Sequence, residues 1–178
     1  MRSFLDACVL VPTLTRGLLL DAAQAGVLEP LWSPGVLDEW RHAAARVGPF
    51  QTLSAEHEIA AMTAACPQAC VTPPPDLVET LHLPDPGDRH VLAAAIAGRA
   101  EALVTFNERD FPLRVMGAHG LIRRHPDGVL REAAGDTALA DAFRARFAEA
   151  VAHTGRSPRA LAKAAHLPRL GKLLFSGD

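Results

Sequence analysis

Four acidic residues lie at the ends of strands or near the starts of helices: Asp6, Glu39, Asp88 and Asp110. Asp6 directly follows the apolar run Ser3-Phe4-Leu5, which reads as the end of a buried strand. Asp88 opens a helix expected over 88–97 and closed by Gly98. Asp110 follows the buried strand 102–106 within a loop that ends at Pro112. Glu39 lies inside a helix whose start also follows a strand. Carboxylates gathered in one cleft repel one another and need a cation for compensation. An all-oxygen donor set suits Mg²⁺ or Mn²⁺ and not zinc. Such an ion orients a water, helps deprotonate it and stabilises charge on phosphoryl oxygens. The chemistry this points to is cleavage of a phosphodiester bond, with no nucleophilic side chain required.

Each acid also has a plainer structural reading. Asp6 could cap the helix entered at Pro12. Glu39 could be a solvated helix residue. Asp88 is a good N-cap residue, a role worth about 1 kcal/mol. Asp110 suits a turn. Asp85 suits an Asx turn, yet lies close enough to serve as an alternate ligand or to support the others. Asn107 either binds metal, water or substrate, or closes a turn through its side chain. Arg109, Arg114, Arg123 and Arg124 are candidates for phosphate contact. His90 follows Asp88 closely and reads as a solvated residue on the outer helix face. Cys66 and Cys70 are four apart, but Pro67 and the lack of a second close pair argue against structural zinc.

Alternating strands and amphipathic helices must position these groups. Strands are expected at 3–5, 28–32, 102–106 and 120–123. Helices are expected from Pro12 to Gly26, from the Ser33-Pro34 cap to Gly48, from Ser54 to Pro67 and over 136–151. Pro73-Pro74-Pro75 reads as a loop or polyproline segment. The pattern implies an α/β fold in three layers, with a mostly parallel central sheet flanked by helices. After Gly155 the pattern changes to short helical pieces. The expected division is a main domain at 1–135 and a C-terminal helical extension at 136–178.

Composition narrows the function classes. The 178 residues suit one domain with a small appendage, and 49% are hydrophobic. There is no Tyr, which argues against an aromatic stacking surface for nucleic acid. The net charge of -2 excludes an indiscriminate basic binder. The charge is uneven, because residues 141–178 hold seven Arg or Lys against three Asp or Glu. Three cysteines and no signal segment fit a reducing cytosol and not a disulfide scaffold. No stretch is apolar for long enough to span a membrane, so a cytoplasmic location is expected.

The segments FLDACVLVP at 4–12, LDEW at 37–40, LPDPGDRHVLAAAI at 83–96 and LVTFNERDFP at 103–112 together resemble the PIN-domain nucleases, particularly VapC-type toxins of toxin–antitoxin pairs. The resemblance covers roughly 2–135, and the 157–170 segment is similar to a helical extension in a subset of those toxins. It implies a PIN-like fold with Asp6, Glu39, Asp88 and Asp110 as Mg²⁺ or Mn²⁺ ligands. Many relatives have Asp where this chain has Asn107, so Asn107 competes with Asp110 for the fourth place. Thr105 would fix a phosphate or orient the acids. The resemblance further implies cleavage of RNA, restraint by a cognate antitoxin, and a homodimer. Three rivals stand beside it: a DNA-directed nuclease, a non-catalytic RNA- or protein-binding member of the same fold, and a phosphatase with Asp6 as nucleophile. The last lacks its usual second Asp, because position 8 is Cys8. If the basic tail meets RNA, Arg or Lys replacements in 156–172 are expected to weaken binding and flatten its salt dependence. An unchanged slope in a binding titration would reassign the tail to packing.

Overall fold

The computed structural model describes residues 1–176. Its contacts divide the chain into two compact units. The first comprises Met1–Val11 and Glu29–Arg123, and the second Pro12–Leu28 with the chain from Arg124 onward.

The first unit is built on a four-stranded parallel sheet. β1 (Arg2–Leu5) is followed by the short helix α1 (Ala7–Leu10). After the excursion of α2 (Thr13–Gln24) into the second unit come β2 (Glu29–Leu31), α3 (Pro34–Val47), α4 (Pro49–Ala65) and α5 (Pro75–Thr80). A 3-10 turn at Pro86–Asp88 leads into α6 (Arg89–Ala97), then β3 (Ala102–Val104), α7 (Leu113–Ala118) and β4 (Ile122–Arg124). The sheet order is β2-β1-β3-β4. β1 therefore pairs with β2 on one side and with β3 on the other. The register sets Phe4 opposite Leu31 and Leu103, and all three are buried. Phe4, Leu5, Leu92, Leu103 and Phe111 have no exposed surface and form much of this core.

Local signals account for most element starts. The Ser33 hydroxyl accepts the Val36 N–H at 3.3 Å, with Pro34 in the first turn of α3. α4 starts at Pro49, five residues before the Ser54 start expected from sequence. Gly48, at φ 151°, ends α3 and turns the chain directly into that first-turn proline. Pro75 likewise opens α5 where sequence suggested loop. The helices α1, α5 and α7 have four to six residues, too few to show a helical period.

The second unit is helical: α2, α8 (Pro126–Ala133), α9 (Thr137–Thr154), α10 (Pro158–Ala164) and α11 (Pro168–Leu174). Asp136 caps α9 by accepting the Leu139 N–H at 2.9 Å, and Gly155 closes it at φ 66°. Leu139, Phe143 and Phe147 are buried along one face of α9, as their spacing requires. Phe147 stacks edge-to-face on Phe175 at 5.3 Å. Arg146 of α9 grips Asp21 of α2 through two bonds of 2.6 Å. Gly17 lies under the Arg146 side chain, whose Nη1 would stand 2.5 Å from a Cβ at that position. No described helix is long and apolar enough to cross a membrane.

Asp127, 3% exposed, fastens α8 to the start of α11. Its two oxygens accept the Arg169 N–H at 3.0 Å and the Leu170 N–H at 2.9 Å. An α11 of seven residues is too short to hold itself. Asp127→Ala is expected to cost about 2–3 kcal/mol, the range for losing charge-assisted hydrogen bonds and stranding their donors. Urea unfolding measures this, and a midpoint equal to that of the parent would refute the role.

Candidate metal centre

The order β2-β1-β3 makes the chain reverse direction across the sheet between β1 and β3. Parallel sheets open a crevice at the carboxyl ends of the strands at such a point. Asp6 follows β1 there, and its N–H extends the ladder to the Val104 carbonyl of β3 at 3.2 Å. Beyond β3, Thr105 donates its hydroxyl to Asp6 Oδ2 at 2.6 Å. The Asn107 N–H in turn donates to Thr105 Oγ1 at 2.8 Å. Asn107 Nδ2 then donates to Asp88 Oδ2 at 3.2 Å. One relay of hydrogen bonds thus joins Asp6, Thr105, Asn107 and Asp88.

Among the described residues, the carboxylates of Asp85, Asp88 and Asp110 form a group whose oxygens approach one another within 4.8 Å. Asp6 and Glu39 lie outside that triplet, yet both add negative charge at Asp88. Asp85 also accepts the Gly87 N–H at 2.8 Å, so it closes its Asx turn while facing the other acids. Asp88 precedes α6 but makes no side-chain cap bond. Its carboxylate meets Asn107 instead, and the capping role suggested by sequence is not used.

Glu39 is held from outside the acid group. Its Oε1 accepts from His90 Nε2 at 2.6 Å. His90 is therefore half-buried and paired, not the solvated residue expected from its place in α6. The other overlooked participant is Cys8. Its thiol donates to Asp6 Oδ2 at 3.1 Å and lies 3.3 Å from Thr105 Oγ1, while its sulfur accepts the Phe106 N–H at 3.2 Å. Arg123, a candidate for phosphate contact by sequence, instead binds the loop that carries Asp110. Its Nη1 donates to the carbonyls of Glu108 and of Phe111, the latter at 2.9 Å. Arg124 pairs with Glu132 at 2.6 Å. Arg109 and Arg114 are exposed, on the loop and in the first turn of α7.

Crowding shows in the proton affinities. Burial raises the Asp6 carboxyl above its usual range, against the lowering effect of the Thr105 and Cys8 bonds. Burial pushes Asp88 up to about 6, and the charges of Asp6, Asp85, Asp110 and Glu39 add to it. His90 is raised by its bond to Glu39, against burial. Burial and the Asp6 charge push the Cys8 thiol up to about 12. A hard divalent cation fits this all-oxygen donor set, whose carboxylates otherwise repel one another.

The Asp88 shift sets a pH signature. Its usual value is 3.8 and its folded value about 6. Between these, the folded chain keeps a proton that the unfolded chain has lost. This group's contribution to stability therefore falls as pH rises through that window and stays low above it. Asp88→Asn removes the effect while keeping an acceptor for Asn107. In melts with a chelator, the variant is expected to exceed the parent near pH 7.5 and to match it near pH 4. Equal melting offsets at both pH values would overturn this account.

The PIN-domain family model matches residues 2–109, the stretch that carries all of these acids except Asp110. No curated protein and no solved structure matched the chain. A family match across more than half of the sequence establishes membership: this protein belongs to the PIN-domain family, whose members are generally nucleases with acidic metal-binding residues.

Proposed function

We propose that the chain is a Mg²⁺- or Mn²⁺-dependent endoribonuclease that acts as the toxin of a type II toxin–antitoxin pair. The observation that carries the nuclease reading is the convergence of acids on Asp88, three of them within 4.8 Å of one another. Asp6, Glu39, Asp88 and Asp110 would hold the metal, and the position of Asp85 in the close triplet adds it as a further ligand. When bound, the ion supplies positive charge at the phosphoryl oxygens and a more acidic water. Thr105 and Cys8 aim the Asp6 carboxylate, and Asn107 aims that of Asp88. Arg109 and Arg114, both exposed, would meet the substrate backbone. The assignment to RNA, to a cognate antitoxin, to a homodimer and to the cytoplasm rests on the resemblance to VapC-type toxins. The same resemblance supports 1–135 as the nuclease part and 136–178 as its helical extension.

Cleavage of RNA in Mg²⁺ or Mn²⁺ is expected to fall by more than roughly 100-fold in Asp6→Asn and Asp88→Asn, beyond the usual cost of losing an outer partner of a metal site. The fold should persist by circular dichroism. Cleavage of DNA but not RNA would replace the substrate. Tight RNA or protein binding without cleavage in any metal would make the chain a binding scaffold. A neighbouring reading frame for a small protein with a DNA-binding N-terminus would support the toxin assignment, and its absence would count against it.

A further inference from the structure

Glu39 is half-exposed, with 44% of its side chain accessible. A flexible side chain there gains rotamer freedom and escapes repulsion by swinging into water. His90 opposes that movement through its 2.6 Å bond to Glu39 Oε1. The other ring nitrogen, Nδ1, is buried and has no hydrogen-bond partner among the described residues. The imidazole thus leaves one nitrogen unsatisfied while the other meets Glu39.

The slot that admits the ring is Gly35. A Cβ at Gly35 would lie 2.7 Å from His90 Nδ1 and 3.1 Å from Cε1. Gly35 lies in the first turn of α3, and Glu39 follows one turn later on the same face. Its backbone has no positive φ that would require glycine. Glycine is a poorer helix former than alanine, even where the penalty is softened in a first turn. The backbone gives no reason for that cost, whereas the His90 ring does.

We infer that His90 is a positioning residue that fixes the Glu39 carboxylate for metal binding, and that Gly35 exists to seat its ring. The inference rests on the reading of Glu39 as a metal ligand. A partly exposed ion pair with no such role would add little stability and leave metal binding untouched.

The test is calorimetric titration of Mn²⁺ into the full chain, paired with thermal melts, for the parent, Glu39→Gln, His90→Leu, His90→Gln and Gly35→Ala. His90→Leu is expected to weaken Mn²⁺ binding roughly tenfold, the scale seen when an outer partner of a metal ligand is lost. His90→Gln should recover most of that loss, because its amide Nε2 can donate to the same oxygen. Gly35→Ala should weaken binding comparably while its melting point holds or rises. If Glu39→Gln binds weakly but His90→Leu and Gly35→Ala bind as the parent does, the positioning role is overturned and Glu39 stands as a ligand. If Glu39→Gln itself binds like the parent, both fall. A lowered melting point with parental affinity in His90→Leu would make the pair structural and also overturn the inference.

Discussion

Mutual repulsion among carboxylates is the constraint around which the first unit is organised. Asp88 feels the charge of four other acids, and burial makes that charge harder to bear. A fold can hold such groups together only by fixing each one separately. Asp6 is fixed by Thr105 and Cys8, Asp88 by Asn107, Asp85 by the Gly87 N–H, and Glu39 by His90. The loop beneath Asp110 is fixed by Arg123. None of these partners need touch the metal or the substrate. They hold the acids where an ion can replace repulsion with coordination.

The sheet makes this arrangement affordable in sequence terms. Parallel pairing of β1 with β3 brings residues 6 and 105 into contact, although 99 positions separate them. Each strand then needs only one or two polar residues just beyond its end. The rest of each strand is free to be apolar and buried, as Phe4, Leu5, Leu103 and Val104 are. Core and site are therefore written into the same short segments, with the boundary falling between Leu5 and Asp6 and between Val104 and Thr105.

Much of this was legible in the residues, and what was not has physical reasons. Asp6 was readable because a charge directly after an apolar strand is conspicuous. The α3 start was readable because Ser33-Pro34 is a local signal that needs no partner. Glu39 was different: position on a helix face does not say what lies opposite, and only the family resemblance raised it. The same holds for His90, whose partner is 51 residues away on another helix. Arg123 reads from sequence as a candidate for phosphate contact, because the Glu108 and Phe111 carbonyls that it binds come beside it only in the fold. Asp88 looked like a cap because its type and place suit one, but Asn107 holds its carboxylate instead. Short helices such as α1 and α7 had no period to read, so the paths that carry the chain away from Asp6 and Asp110 emerged only with the fold.

The burial of Cys8 carries one more consequence, for the durability of the site. Burial and the Asp6 charge hold the Cys8 thiol well above its ordinary range, so little thiolate is exposed at neutral pH. Peroxides and alkylating agents attack the thiolate, so they have almost nothing to attack at this position. The acid group has thus recruited a sulfur as a hydrogen-bond donor without inheriting the chemical fragility that sulfur usually brings. The exposed Cys70 is the more accessible thiol, in contrast to the one beside Asp6.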